Sequence, residues 1–448
     1  MSQKKTLVFG SGISGIGAAN LLIGMGKEVI LYDGNENIDV NQLKEQLESP
    51  EKVEIVLGTF EESVIKNLDQ VVMSPGVPTD LPIVNQMRAC GIKISGEVEL
   101  AYTYGQGDVL AITGTNGKTT TTALLGEIMK NFKEEVFVVG NIGNPYTTAA
   151  REMTEKSVAV AEVSSFQLET IHAFRPCVSA ILNITPDHLN RHHTMEAYIA
   201  AKEDITKNQT ATDTCVLNYE DEVTRKIGEK LNCEVLYFSS QRKLNKGIYL
   251  EDGNIVYKNG EELLLCNVDE LQLLGVHNYE NVMAASAMAL AYGVPLDVVR
   301  KTIKSFAGVA HRIEFVCEKY GVAYYNDSKG TNPDAAIKGI QAMNRRTLLI
   351  GGGYDKDSEF EEWISSFDGK VKHLVLLGQT KEKIAKAARN VGFEQIIMVE
   401  SLEEAVKTCA DLAEEGDAVL LSPACASWGM FKNYEERGDK FKEFVNAL

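Results

Sequence analysis

Gly114-Thr115-Asn116-Gly117-Lys118-Thr119 is the stretch on which the reading of this 448-residue chain turns. It lies between an apolar run, 109–113, that predicts a buried strand and a run, 120–132, with the spacing of an amphipathic helix. A glycine-rich turn between strand and helix aims backbone N–H groups and the positive helix end at one point, and phosphate is the ligand such a point favours. Lys118 adds a mobile charge for outer phosphates, and the Thr119 hydroxyl is a Mg²⁺ ligand in such loops. The spacing is not that of the common phosphate loop, because Ile112 rather than glycine stands five residues before Gly117. The stretch is therefore either a nucleoside-triphosphate grip of unusual spacing or an ordinary turn, and its surroundings must decide.

Composition narrows the choice. At this length two to four domains of about 100–200 residues are expected. With 45 Lys and Arg against 63 Asp and Glu, the net charge of −18 argues against a nucleic-acid partner. Any phosphate site must then be built locally from Lys, Arg, Mg²⁺ and helix ends. The eight cysteines are scattered without a Cys-x-x-Cys pair, as suits reduced thiols in a cytoplasmic enzyme. The polar start of the chain leads straight into a strand, which predicts no signal peptide, and no apolar run reaches membrane-spanning length.

Outward from the loop, the chain reads as three α/β segments, 1–95, 96–308 and 309–448. In the first, strands at 6–9, 28–32, 53–57 and 70–73 alternate with helical stretches, which implies a parallel sheet of Rossmann-like type. Its first turn, Gly10-Ser11-Gly12-Ile13-Ser14-Gly15, with Asp33 closing the next strand, matches the dinucleotide fingerprint. That turn suits NAD, the diphosphate of a nucleotide sugar, or close helix–strand packing. The central segment places Glu162-Val163-Ser164-Ser165 and Asn183-Ile184-Thr185-Pro186-Asp187-His188 after apolar strands, where open parallel sheets bind ligands. Asp252-Gly253 and Asn259-Gly260 mark hairpins of a small antiparallel addition. Strands at 322–325, 347–350, 374–377, 396–399 and 418–421 predict a second Rossmann-like sheet in the last segment.

Glu162 and His188 are the metal candidates, since one carboxylate with Thr119 and phosphate oxygens satisfies Mg²⁺. As alternatives, Glu162 forms an ordinary ion pair and His188 belongs to a capped turn. Lys202, on a helical pattern over 195–208, reads by itself as a solvated lysine, and Asn278 as an N-cap of a helix over 282–292. His311-Arg312-Ile313-Glu314 and the loop Asp327-Ser328-Lys329-Gly330-Thr331-Asn332-Pro333 flank the first strands of the last segment, and the loop suits an anion.

Together these motifs resemble the Mur ligase family along the whole chain. To those quoted are added Ser-Pro-Gly-Val-Pro from 74, Gly-Asn-Ile-Gly from 140, His-Asn-x-x-Asn from 277 and Ser-Pro-Ala-Cys-Ala-Ser from 422. Asn116 stands where the alanine-adding branch has histidine, and the Asn-Pro-Arg signature of the diamino-acid-adding branch is missing. The N-terminal sheet separates the chain from folylpolyglutamate synthases. The resemblance is therefore to the branch that adds D-glutamate, with the other Mur amide ligases as the alternative.

The resemblance implies three domains: an N-terminal Rossmann-like parallel sheet, a central P-loop ATPase-type α/β domain and a C-terminal Rossmann-like domain. It implies that ATP phosphorylates a UDP-N-acetylmuramoyl-L-alanine carboxylate, and that the D-glutamate amine attacks the acyl phosphate, in peptidoglycan synthesis. Gly114 to Thr120 with Asn278, Asn281, Arg312, Asp327 and Lys329 then hold ATP. Ser14, Asp33, Ser74 and Gly76 hold the UDP part, and Asn141 and Ser164 the muramoyl-alanine part. Thr331, Lys356, Ser427, Trp428 and Tyr434 surround D-glutamate together with Lys329. Thr119, Glu162, His188 and a carbamylated Lys202 serve Mg²⁺ or Mn²⁺, and Lys118, Glu162, His188 and Lys202 form the catalytic set. A cytoplasmic monomer without membrane insertion is expected. Asn190 and Gly429 stand where the family commonly has an acid, and Asn35 offers no basic side chain at the UDP site. Two other classes are weighed against this: a nicotinamide-dependent dehydrogenase using the Gly10 turn, and a nucleotide-sugar-binding regulator without catalysis.

Overall fold

The structure, a computed structural model, describes residues 4–448. Three sheets account for the strands. The first is wholly parallel, in the order Val53–Leu57, Val29–Asp33, Lys5–Phe9, Leu68–Met73, Lys93–Gly96. Leu7, Val8, Ile30, Leu31, Val71 and Val72 are all buried, as strands covered on both faces require. The chain reverses its winding between Lys5–Phe9 and Leu68–Met73, so the Gly10 and Ser74 turns share one crevice at the sheet's C-terminal edge.

The central sheet has nine strands, with Asp108–Thr113 between Val158–Glu162 and Val178–Ile181. Val136–Gly140 closes one side; Thr214–Asn218, Glu234–Ser239 and Gly247–Glu251 extend the other in parallel. Beyond these the expected antiparallel addition is present: Gly247–Glu251 turns through Asp252-Gly253 into Asn254–Asn259, and Glu261–Asn267 follows. The third sheet runs Glu314–Lys319, Val322–Asn326, Ala418–Leu421, Thr347–Gly351, Val371–Leu376, Ile396–Met398. It is parallel apart from its first, antiparallel edge strand. The chain divides into two compact units, one up to Leu265 with Asn281–Thr302, the other Cys266–Glu280 with Ile303–Leu448. Among the described residues no helix is long and apolar enough to cross a membrane.

Two helix readings need correction. The helix expected over 282–292 is Val276–Tyr292, so Asn278 lies inside its first turns and is no N-cap. Its Nδ2 donates instead to Leu274 O at 2.8 Å. The run over 195–208 forms a helix only at Met195–Glu203 and then tightens into the 3₁₀ turn Asp204–Thr206, where the Thr206 hydroxyl bonds Glu203 O at 2.8 Å.

Candidate active site

The Gly114–Thr119 loop joins Asp108–Thr113 to the helix Lys118–Lys130. Gly117, at φ +86°, caps that helix in the left-handed region, which only glycine enters without cost. A Cβ there would also stand 2.3 Å from Asn281 Oδ1, so the loop and Asn281 are in direct contact. Asn281 in turn receives a hydrogen bond from Thr121 Oγ1 at 3.3 Å. The far side is braced by Asn183, whose Oδ1 accepts from Asn116 N at 2.8 Å and whose backbone O accepts from Thr115 N at 2.9 Å. Asn183 opens a quoted motif, yet its bracing role carried no signal in the sequence. Thr119 is half-buried and Thr120 buried in the first helical turn.

Two ammonium groups converge on one carbonyl. Lys118 Nζ donates to Gly114 O and to Thr115 O, both at 2.9 Å, while Lys202 Nζ donates to Gly114 O at 2.7 Å. Lys202 is no solvated lysine: it is 2% exposed, and its Nζ sits 4.7 Å above the Tyr198 ring. Burial, and next the charge of Lys118, push its amine down to about 7.

Glu162 ends Val158–Glu162, level with Ile112 on the neighbouring strand. Asn141 Nδ2 donates to its Oε1 at 2.9 Å, which brings together two residues expected in different roles. The other oxygen, Oε2, is buried and has no hydrogen-bond partner among the described residues. A buried orphaned carboxylate oxygen calls for a cation or a donor, and a Mg²⁺ ion is a fitting occupant. No group of three or more His, Cys, Asp or Glu able to hold a metal occurs among the described residues. Ser164 caps Ser165–Leu168 through a reciprocal box with Gln167. His188 is about half exposed, in the left-handed region at φ +52°, with its ring against Phe166 at 5.0 Å.

In the first sheet, Asp33 braces the Gly10 turn. Its Oδ2 accepts from Ser11 N at 2.9 Å and Oγ at 2.7 Å, and its Oδ1 from Asn35 N at 3.0 Å. Burial raises the carboxyl, but these hydrogen bonds outweigh it and hold the group below the ordinary range. Gly15 serves packing, since a Cβ on it would stand 1.8 Å from Gly10 O. Ser74 Oγ donates to Gly10 O at 3.2 Å. Gly76, Asp33, Tyr32 and Val77 line an open cleft of about 460 Å³. Ser14 lies half-buried in the first turn of Ile13–Gly24.

The remaining expected residues belong to the second unit and form two groups. Asp327 is buried, accepting from Ser422 Oγ at 2.7 Å and Ile313 N at 3.3 Å, and burial pushes its carboxyl up to about 7. Near it in sequence, Lys329 Nζ stands 5.6 Å from the Tyr434 ring, with Thr331 N bonded to Lys329 O at 2.9 Å. Arg437 ties this loop to the 422–428 segment through Ser328 Oγ, Ser328 O and Cys425 O at 2.8–3.0 Å; it carried no signal in the sequence. In the second group, Lys356 Nζ lies 4.4 Å over the exposed Trp428 ring, beside buried Ser427. Arg312 is exposed.

Fold and site thus define an α/β protein whose central phosphate loop is framed by lysines and a buried acid, beside a separate cleft. Three family models match in succession: Mur ligase MurD-like, N-terminal domain, over 4–96; Mur ligase middle domain over 112–289; and Mur ligase, glutamate ligase domain, over 311–425. The UDP-N-acetylmuramoylalanine--D-glutamate ligase of Lachnoclostridium phytofermentans is 58% identical over 446 residues, 99% of this chain and 98% of that one. The ligase of the same name from Lachnospira eligens is 54% identical over the full length of both. Among solved structures, the UDP-N-acetylmuramate-alanine ligase MurC of Thermotoga maritima shares the fold, with a TM-score of 0.58 at 21% identity over 99% of both chains. The chain belongs to the Mur ligase family, in the branch of these D-glutamate ligases.

Proposed function

We propose that the chain joins D-glutamate to UDP-N-acetylmuramoyl-L-alanine with ATP as the energy source, in peptidoglycan synthesis. The observation that carries this is the convergence of Lys118 and Lys202 on Gly114 O, with the orphaned Glu162 oxygen at the end of the adjoining strand. The substrate carboxylate attacks the γ-phosphorus and ADP leaves; the D-glutamate amine then attacks the acyl carbon, sheds a proton and expels phosphate. The first step brings anion onto anion, so neutralisation by Lys118 and the loop amides is the main work of the site. Glu162, Thr119 and His188 would hold Mg²⁺, or Mn²⁺ in its place, and the ion would supply further positive charge to the phosphates. Asn141 fixes the Glu162 carboxylate and leaves Oε2 for the ion.

Lys202 is the proposed carbamate. Its neutral amine would form an N–C bond to CO₂ and lose a proton; the carbamate would keep one N–H able to donate to Gly114 O and would supply oxygen ligands for a divalent ion. An amine lowered to about 7 is roughly half neutral at pH 7, whereas an ordinary lysine is almost wholly protonated there. Segment 1–95 takes the UDP part through Ser14, Asp33, Ser74 and Gly76. Segment 96–308 takes ATP, with Asn141 and Ser164 on the muramoyl-alanine. Segment 309–448 takes D-glutamate through Lys329, Thr331, Lys356, Ser427, Trp428 and Tyr434; by the family resemblance, Asn278, Asn281, Arg312 and Asp327 are assigned to the nucleotide. The enzyme acts as a cytoplasmic monomer. Phosphate release measured over a panel of amino acids tests the reading: turnover is expected only with the UDP-muramoyl-alanine, D-glutamate and Mg²⁺ together. Equal turnover with L-alanine or a diamino acid refutes it.

A further inference from the structure

We infer that Glu169, with Thr79 and Arg191, is a positioning device that ties the loop of the UDP cleft to the loop carrying His188. The inference rests on the reading above. Two hydrogen-bond donors and a histidine nitrogen from two distant loops meet on this one carboxylate. Thr79 Oγ1 donates to Oε2 at 3.1 Å, Arg191 Nη2 donates to the same oxygen at 3.0 Å, and His192 Nδ1 lies 3.3 Å from Oε1. Arg191 Nη2 also reaches Val77 O at 3.3 Å, so it holds the cleft loop directly. The group is secluded, with side-chain exposures of 15% for Arg191, 18% for Glu169 and 3% for His192, where charge-assisted hydrogen bonds keep their strength.

Each end of the tie meets a proposed site. Val77 lines the 460 Å³ cleft beside Gly76 and Asp33. On the other side, the Phe166 ring packs on His188, on His192 at 5.3 Å and on the Arg191 guanidinium at 4.9 Å. His192 Nε2 is 2.9 Å from Ser165 Oγ, next to the Ser164 cap. His188 and His193, at φ +52° and +66°, flank the single turn Leu189–His192. Bulky residues keep left-handed backbone only where surroundings hold it there, and the Glu169 cluster is what surrounds this turn. A substrate that settles the cleft loop therefore also settles the His188 turn. Linkage makes the effect mutual: nucleotide with metal must tighten the UDP substrate by the same factor.

Titration calorimetry of UDP-N-acetylmuramoyl-L-alanine into the full chain, with and without Mg²⁺ and a non-hydrolysable ATP analogue, reads that factor. The wild type is expected to gain about tenfold in affinity with the analogue, within the usual range for coupled sites. Glu169→Gln places an amide NH₂ where Thr79 and Arg191 need an acceptor; the gain is expected to fall below about twofold, with each ligand alone binding within about threefold of wild type. Thr79→Val is expected to reproduce the loss and Thr79→Ser to keep the gain, a contrast that a merely structural role does not produce. This pair decides the matter if Glu169→Gln fails to fold by circular dichroism. Wild-type coupling retained in Glu169→Gln and Thr79→Val overturns the inference, as does a wild type that binds both ligands independently. A wild type that binds no UDP compound at all overturns the functional reading instead, and this inference with it.

Discussion

Replacing Lys202 by methionine is expected to stabilise the protein below pH 7 while abolishing turnover. The fall of the amine from 10.5 to about 7 corresponds to roughly 5 kcal/mol at about 1.4 kcal/mol per unit. Burial is its main cause and the neighbouring Lys118 charge comes next. Between pH 7 and 10.5 the unfolded chain carries this proton and the folded chain does not, so the wild type gains stability as pH rises through that window. Below pH 7 the penalty on the folded state is present in full. Methionine titrates in neither state and fills a similar volume. It forfeits the bond to Gly114 O, worth about 1.5–3 kcal/mol for a charged donor. The net expectation is a gain of about 2–3 kcal/mol at pH 6.5 that shrinks by roughly 4 kcal/mol on going to pH 10. Urea unfolding of both proteins in CO₂-free buffers at four pH values measures it, because groups common to both cancel in the difference. A stability difference that stays flat to within about 1 kcal/mol over that range refutes the buried-amine reasoning.

Lys118→Met is expected to lower kcat by about 10²–10³, the usual cost of losing one preorganised charge at a developing anion, and steady-state phosphate release measures it. Unchanged kcat takes the lysine out of the chemistry. Asp33→Ala removes the acceptor for Ser11 N, Ser11 Oγ and Asn35 N, so KM for the UDP substrate should rise about 10- to 100-fold with kcat within about threefold. An unaltered KM shows that the Gly10 turn keeps its shape without the acid. Of the two tryptophans, Trp363 is fully buried and Trp428 is 53% exposed under Lys356, so D-glutamate should change the emission of Trp428. A change that survives Trp428→Phe places the response elsewhere.

What the sequence discloses is what is local. The buried strand Ala418–Leu421 is a continuous apolar run and can be bounded to the residue, and Glu162 declares itself by ending such a run. Glu314–Lys319 is half-exposed and edge-paired, with charges at both ends, and leaves no comparable pattern. Asn278 looks like a cap because asparagine usually is one before an apolar helix. Burial of both Asn278 and Asn281 overrides that preference and lets the helix begin at Val276. Lys202 is illegible for the same reason: only the loop 88 residues earlier turns a surface-type lysine into a buried amine. The Glu169 cluster is harder still, since its donors come from 90 residues before and 22 after.

A chain of net charge −18 that handles nucleotide, nucleotide sugar and amino-dicarboxylate cannot rely on its overall field, which repels all three. The central loop shows the local solution. Two lysines are drawn to a single carbonyl, and the second is buried so deeply that it holds its proton only weakly near neutrality. That arrangement is self-limiting, because each ammonium disfavours the other at short range. The proposed carbamate on Lys202 would replace repulsion of Lys118 by attraction, and would trade a costly buried cation for an anion that a divalent ion could neutralise. The same depression that makes Lys202 a poor structural lysine would favour the proposed reaction with CO₂. On this argument, the stability of the Lys202→Met variant should be insensitive to bicarbonate, whereas the wild type should respond in both stability and activity.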